Sequence, residues 1–155
     1  MAEAEERFAK IFGRQYTGLT ESYRTEDAEY ILVTLGSIAG LVRETVDALR
    51  EGGKKVGLLR LRYLRPFPNE EIAAAVRNAK ALAVLEKDIS FGNEGTVHTN
   101  VVSALHKAGI VLPTANYVAG LGGKNISAED IRQIFEDLSK EQQGLHFVGT
   151  GGEAG

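Results

Sequence analysis

The sequence predicts an α/β fold in three layers, with a mostly parallel sheet covered by helices on both faces. Short runs rich in valine, isoleucine and leucine recur along the chain, and each is followed by a stretch with helical spacing of its apolar residues. Glycine or proline marks most of the junctions between these stretches. This alternation is typical of βαβ units, whose strands pair in parallel through right-handed crossovers.

The first unit begins with the apolar run Tyr30–Leu35, which is continuous rather than alternating and therefore predicts a strand buried on both faces. Gly36-Ser37 then opens a helix that ends at the pair Gly52-Gly53, because glycine lets the backbone leave the helix. The apolar residues of this helix share one face: Ile38, Leu41, Val42, Val46 and Leu49.

Val56–Leu61 predicts the second strand. The segment Arg65-Pro66-Phe67-Pro68 ends it, because proline can neither donate to a sheet ladder nor continue a helix. The acids of Asn69-Glu70-Glu71 suit the first turn of a helix, where the helix dipole favours negative charge. This second helix is expected to run to about Asn78.

Ala81–Leu85 predicts the third strand, and a polar, glycine-containing loop over 86–94 joins it to a helix over roughly Gly95–Lys107. Ala115–Ala119 predicts a fourth and shorter strand. Ser127 is a suitable N-cap for the last helix, which has an acid at its third position. The apolar stripe of that helix consists of Ile131, Ile134, Phe135 and Leu138.

These elements divide the chain into three segments. Residues 1–29 are expected to form an amphipathic lead-in helix and a polar connector, and residues 30–140 the α/β domain. Residues 141–155 are rich in glycine and poor in apolar side chains, so we expect a flexible tail that frays from Gly144 onward.

Composition excludes several classes of function. The 155 residues are 43% apolar, which suits one domain, and the net charge of −3 provides no basic patch for nucleic acid. The chain has no cysteine, which excludes disulfides, cysteine-ligated zinc and cysteine-held iron–sulfur clusters from it. The acidic start leads into no long apolar run, so we expect neither a signal peptide nor a membrane span and place the protein in the cytoplasm.

The candidate site is the edge of the sheet where the parallel strands end, since open α/β folds usually bind their ligands there. Glycines and helix N-termini in these loops could accept an anion. We favour the alternative, in which the glycines only allow tight turns between strand and helix. The candidate residues for an interface or an anion are Gly36, Ser37, Arg65, Phe67, Glu86, Gly92, Asn93, Gly122 and Gly123.

Three arginines surround Tyr63, and strand alternation puts Arg60 and Arg62 on one face if the strand extends that far. Guanidinium groups suit carboxylate or phosphate partners. We favour structural ion pairs or an interface over a ligand, because the interior of a parallel sheet rarely tolerates unpaired arginine.

The sequence predicts no catalytic residue and no metal site. Glu86, Asp88 and Glu94 could provide a general acid and base, but no histidine or nucleophile supports them in a motif. His98 and His106 lie two helical turns apart, too far for one metal ion, so a solvated or capping role is favoured for both.

Six short motifs occur in a fixed order between about Phe8 and Leu138. They are Phe12-Gly13-Arg14-Gln15-Tyr16, Glu26-Asp27-Ala28-Glu29-Tyr30, Leu35-Gly36-Ser37, Gly57-Leu58-Leu59-Arg60-Leu61-Arg62, Arg65-Pro66-Phe67-Pro68 and Gly120-Leu121-Gly122-Gly123. Together they resemble domain II of pyruvate:ferredoxin oxidoreductases and the equivalent part of the alpha subunits of 2-oxoacid:ferredoxin oxidoreductases. The layout is more distantly similar to the C-terminal domain of transketolase-type enzymes.

This resemblance implies a parent enzyme that uses thiamine diphosphate, magnesium, iron–sulfur clusters and coenzyme A, with ferredoxin as an indirect partner. It implies no cofactor on this chain, whose role would be structural contact with other domains or subunits. The chain would then be inactive alone. The alternative is a module that binds an anion or a coenzyme A phosphate at the carboxyl edge, and a separate small enzyme acting through Glu86, Asp88 or Glu94 is a third hypothesis.

Overall fold

The computed structural model describes residues 2–13 and 18–149. Six strands form one sheet: β1 (Thr20–Tyr23), β2 (Tyr30–Leu35), β3 (Val56–Leu61), β4 (Ala81–Glu86), β5 (Thr114–Val118) and β6 (Gly144–Phe147). The described residues also form five α-helices: α1 (Ala2–Phe12), α2 (Ala39–Glu51), α3 (Asn69–Ala75), α4 (Thr96–Lys107) and α5 (Ala128–Ser139). A short 3₁₀ turn covers Leu121–Gly123.

The strands lie in the order β1-β3-β2-β4-β5-β6. All neighbouring pairs are parallel except β1 and β3, which are antiparallel at one edge. From β2 the chain moves to β3 on one side and then to β4 on the other, so the direction of winding reverses between β2 and β4. The predicted fold class is confirmed, and the reversal marks the position where such sheets usually form a crevice.

Two apolar layers cover the sheet. Leu32 of β2 packs with α2 and α5, whereas its neighbours Ile31 and Val33 pack with α3 and α4 on the other face. All three side chains are completely buried. The continuous apolar run in β2 is therefore explained by burial on both faces.

The prediction for the last helix is confirmed in detail. The Ser127 hydroxyl accepts a hydrogen bond from the backbone N–H of Asp130 at 3.1 Å, and the Asp130 carboxylate accepts one from the N–H of Ser127 at 2.7 Å. This reciprocal pair satisfies two donors that would otherwise have no partner at the helix start.

The prediction of a frayed tail from Gly144 is wrong for the first residues concerned. Gly144–Phe147 form β6 and pair with residues 115–118 of β5. β1 was likewise expected to belong to an irregular connector. Both are edge strands of four residues, which can be held by backbone pairing without a continuous apolar sequence. The end of the expected tail, residues 150–155, lies outside the described part of the chain.

The crossover from β5 through α5 to β6 has the opposite handedness to the other parallel crossovers. The steps from β4 to β5 and from β5 to β6 go in the same direction, yet α4 and α5 lie on opposite faces of the sheet. The expectation of right-handed crossovers throughout is therefore not met at this last connection. Because α2 packs mainly over β3, α5 is needed to cover the centre of the sheet at β2 and β4.

Candidate functional site

The strands β2, β3, β4 and β5 end at the same edge of the sheet, which we call the carboxyl edge. Each presents one large apolar side chain to solvent there: Leu35, Tyr63, Phe91 and Leu121. Phe91 is fully exposed, and the other three expose 36–41% of their surface. The carboxyl edge therefore has four exposed apolar side chains, one from each of the segments that end β2, β3, β4 and β5.

Sequence reasoning selected none of these four residues as site residues. Phe91 and Leu121 could have been found, because each is an apolar residue inside a polar, glycine-containing loop that cannot enter the core. Leu35 and Tyr63 could not, because their exposure depends on where β2 and β3 end.

Glu86 lies at the end of β4 and closes the N-terminus of α4. Its carboxylate accepts hydrogen bonds from the backbone N–H of Val97 at 2.7 Å and of His98 at 3.1 Å. The side-chain amide of Asn116 donates a third at 2.8 Å. Burial raises the pKa of Glu86, although these three hydrogen bonds act in the opposite direction.

The Glu86 carboxylate therefore occupies the N-terminus of α4, where an external anion would otherwise bind. This arrangement also depends on Gly95, whose N–H donates to the Asn116 side-chain carbonyl at 2.7 Å. A Cβ on Gly95 would lie 2.0 Å from a Glu86 carboxylate oxygen, so any larger residue would displace the Glu86 side chain from its hydrogen bonds. Sequence reasoning missed both Gly95 and Asn116, although an asparagine within the apolar strand β5 was a usable signal.

His98 corrects an expectation, since it is buried in α4 and neither solvated nor a cap. Its Nδ1 lies 2.8 Å from a Glu94 carboxylate oxygen but lacks the alignment of a hydrogen bond. His106 is exposed, as expected. Across residues 2–13 and 18–149, no three histidine, aspartate or glutamate side chains come together to hold a metal ion.

The loops after β2 and β5 approach each other. They form a cleft of about 290 Å³, which we call the lysine cleft, and its lining includes Ile38, Gly123 and the two cations Lys87 and Lys124. Gly36 and Ser37 are exposed just before α2, and Gly122 is exposed in the turn beside Gly123. Positive φ angles at Gly36, Gly122 and Gly123 explain the glycines as turn residues.

The other predicted residues do not join this cleft. Arg65 is exposed and donates to the carbonyl of Leu64 at 2.6 Å, while Phe67 packs partly into the core beneath α3 and α4. Gly92 and Asn93 are exposed beside Phe91 in the loop after β4.

Arg60 and Arg62 form the ion pairs that the sequence analysis favoured. Both guanidinium groups reach the carboxylate of Glu21 on β1, at 3.4 Å and 3.1 Å. Arg43 of α2 contacts the same carboxylate. The expectation of structural ion pairing is therefore confirmed for Arg60 and Arg62.

Comparison with known proteins identifies the family. The sequence model described as pyruvate:ferredoxin oxidoreductase core domain II matches residues 28–131. The chain belongs to this family. Of the motifs that suggested it, Arg14, Gln15 and Tyr16 lie outside the described residues, whereas the remaining motif residues lie within them. None of the helices in the described part is long and apolar enough to cross a membrane.

Curated relatives of this domain II are subunits of 2-oxoacid oxidoreductases. The chain is 42% identical over 92% of its length to "Pyruvate synthase subunit PorA" of Methanothermobacter thermautotrophicus. It is 39% identical over 86% of its length to "Ketoisovalerate oxidoreductase subunit VorA" of Pyrococcus horikoshii. It covers 36% and 34% of these two proteins, about a third of each.

Solved structures confirm the fold. A 2-oxoglutarate:ferredoxin oxidoreductase from Magnetococcus marinus, solved with 2-oxoglutarate, coenzyme A and succinyl-CoA bound, matches 88% of the chain and 21% of its own at 23% identity, with a TM-score of 0.58. A split-gene transketolase matches 84% of the chain and 46% of its own at 15% identity, with a TM-score of 0.60. The expected similarity to transketolase is thus confirmed at the level of fold.

Proposed function

We propose that this domain II is a non-catalytic contact domain of a thiamine-diphosphate-dependent 2-oxoacid:ferredoxin oxidoreductase that forms acyl-CoA. The observation that carries this proposal is the row of exposed apolar side chains at the carboxyl edge, Leu35, Tyr63, Phe91 and Leu121. Packing them against another domain or subunit would remove apolar surface from water and stabilise the assembly.

The polar groups at this edge support a structural role. Glu86, the most buried acid at this edge, already accepts hydrogen bonds from three donors and closes the N-terminus of α4. A general base needs its carboxylate within reach of a substrate proton, and this carboxylate is only 5% exposed. Glu94 adjoins His98 and accepts a hydrogen bond from Thr99 at 3.0 Å, so it too has local partners.

The cofactors of the parent enzyme would lie outside this domain. The chain has no cysteine to hold an iron–sulfur cluster. Under this proposal, thiamine diphosphate with magnesium, the clusters and coenzyme A are bound by other parts of a cytoplasmic enzyme, and ferredoxin is reached only through those parts. Calorimetric titration of the isolated chain with thiamine diphosphate and magnesium should then show no stoichiometric binding.

A charged substitution in the apolar row tests the contact role. Phe91→Asp in the enzyme that contains this domain should weaken assembly, measured by the concentration at which the complex dissociates. Val111→Asp is the matched control, because Val111 is equally exposed but lies between α4 and β5 at the opposite edge. Equal assembly of both variants would refute the proposal.

Anion binding at the carboxyl edge is a second candidate function. The cleft lined by Lys87, Lys124 and Gly123 supports it, since two cations line a space for a small ligand, although Lys124 also donates to the Gly149 carbonyl at 2.8 Å. Ordered anions beside Ser37 or Gly122 in crystals would favour this candidate, while burial of these loops in the assembled enzyme would exclude it.

A further inference from the structure

A cleft of about 360 Å³ lies at the edge of the sheet opposite to the carboxyl edge, between the ends of α2 and α5. We call it the amino-edge cleft. Its volume falls within the range of roughly 300–1,000 Å³ that is typical of small-molecule sites. It shares no lining residue with the lysine cleft or with the row of exposed apolar side chains at the carboxyl edge.

The floor of the amino-edge cleft is apolar. Val56 and Phe135 are buried there, with 2% and 4% of their surface exposed. Tyr30 and Leu49 also line the cleft and are only half-buried, packed against the apolar layer of α2 and α5. An apolar group in the cleft would therefore remove the exposed parts of Tyr30 and Leu49 from water, which favours binding.

Five charged side chains line the cleft, and three of them already have partners of opposite charge. The Glu29 carboxylate lies 2.7 Å from the Lys80 ammonium and 3.9 Å from that of Lys55. Arg132 pairs with Glu129 at 3.1 Å on the same helix. These pairs neutralise one another, so they leave little net charge for a ligand.

The remaining two charges, Lys54 and Glu136, form no ion pair with any residue that the structure describes. Lys54 follows the end of α2, and Glu136 lies in the last turn of α5, so the two opposite charges belong to different walls of the cleft. That last turn has no basic residue, and the carbonyl groups at a helix C-terminus favour a cation. The α2 wall therefore suits a negative group, and the α5 wall suits a positive one.

We propose that the amino-edge cleft binds a free α-amino acid with a large apolar side chain. The carboxylate of the ligand pairs with Lys54, its ammonium group pairs with Glu136, and its side chain covers Leu49 and Tyr30. A zwitterion uses both walls, whereas a ligand with a single charge uses only one of them. This inference goes beyond the contact function proposed above and does not depend on it.

Amide NMR spectra of the unmodified chain at neutral pH locate the site. L-Phenylalanine should produce saturable shifts at 29–30, 49–56 and 132–139, which contain the residues that line the cleft. Shifts centred on 36–38 and 120–124 would place the ligand in the lysine cleft and overturn the proposal. The absence of any saturable shift would overturn it as well.

Three fragments of this probe test which of its groups are recognised. 3-Phenylpropanoate lacks the ammonium group, 2-phenylethylamine lacks the carboxylate, and glycine lacks the aromatic ring. Each should bind the unmodified chain at least about tenfold more weakly than L-phenylalanine, because each loses one of the three contacts. If any fragment binds as tightly as L-phenylalanine, the proposal is wrong.

Substitutions on the two walls should discriminate between the fragments. Lys54→Gln should weaken binding of L-phenylalanine and 3-phenylpropanoate about tenfold and leave 2-phenylethylamine unchanged, because only the carboxylate loses its partner. Glu136→Gln should weaken L-phenylalanine and 2-phenylethylamine by a similar factor and leave 3-phenylpropanoate unchanged. Lys107→Gln is the control and should change none of these affinities, since Lys107 is an exposed lysine at the end of α4, on the other face of the sheet.

Circular dichroism would establish that each variant is folded, which we expect because Lys54 and Glu136 are both exposed. If one variant does not fold, the other variant and the fragment series still decide the outcome. Unchanged affinity for L-phenylalanine in the folded variants would overturn the proposal. An equal loss for both charged fragments in one variant would also overturn it, because the two walls would then not recognise separate groups.

Discussion

At the scale of single residues, the polar groups beneath the carboxyl edge form a closed set. Glu86 ends β4, Asn116 lies in β5, and Gly95 precedes α4. Asn116 links the other two by hydrogen bonds, because its side chain donates to Glu86 and accepts from the Gly95 N–H. Buried polar groups that are fully paired fix the position of the elements that they join.

Gly95→Ala tests this set directly. The added Cβ would collide with Glu86, so we expect a loss of about 1–3 kcal/mol in the free energy of unfolding. Gly40→Ala is the control, because nothing lies within 4 Å of a Cβ at that helical position. It should stabilise by roughly 0.5–1 kcal/mol in the same urea titration. Equal effects of the two substitutions would contradict the described packing.

The raised pKa of Glu86 leads us to expect that stability depends on pH. Burial raises its pKa in the folded state above the ordinary 4.5. Its contribution to stability is therefore complete below the unfolded pKa and is lost as pH rises through the folded pKa. We expect the unfolding free energy of the unmodified chain, relative to Glu86→Gln, to fall as pH rises from 4.5. If the difference in unfolding free energy between the two proteins stays constant or grows as pH rises, the three hydrogen bonds outweigh burial in setting the pKa of Glu86.

The sequence identified Glu86 but not its partners. Asn116 lies 30 residues further along the chain, and the two meet only through the pairing of β4 with β5. Such a register is set by packing over the whole sheet. The ion pairs of Arg60 and Arg62 were expected, but their acid on β1 was not, because that strand was not predicted.

At the scale of elements, local signals determined which predictions succeeded. Apolar runs predicted β2, β3, β4 and β5, and the Ser127 cap predicted the start of α5. β1 and β6 were missed because edge strands have weak apolar patterns and depend on a neighbour for their hydrogen bonds.

The cap of α5 leads to a prediction at this scale. Ser127→Ala should lower the free energy of unfolding by about 1 kcal/mol, because the hydrogen bond to the Asp130 N–H is lost. Ser103→Ala provides the control, since Ser103 is exposed in the interior of α4 and should change stability by less than about 0.5 kcal/mol. A similar loss of unfolding free energy in both variants would mean that the Ser127 cap contributes no more to stability than an exposed serine within a helix.

At the scale of the whole molecule, the two edges of the sheet have different surfaces. The carboxyl edge has the apolar row and the lysine cleft, whereas a second cleft of about 360 Å³ lies at the opposite edge between α2 and α5. Sequence patterns predicted the fold and the family because both depend on the order of elements. They could not predict that Leu35 and Tyr63 belong to the apolar row, because the exposure of these two side chains depends on where β2 and β3 end in the assembled fold.

Hydrogen exchange in the isolated chain and in the enzyme that contains it tests the contact role most directly. We expect the carboxyl-edge loops, 87–95 and 119–124, to exchange more slowly in the assembled enzyme. The loop at 108–113, which ends at the opposite edge and includes the exposed Val111, should exchange equally in both. Unchanged exchange at the carboxyl edge would contradict the account.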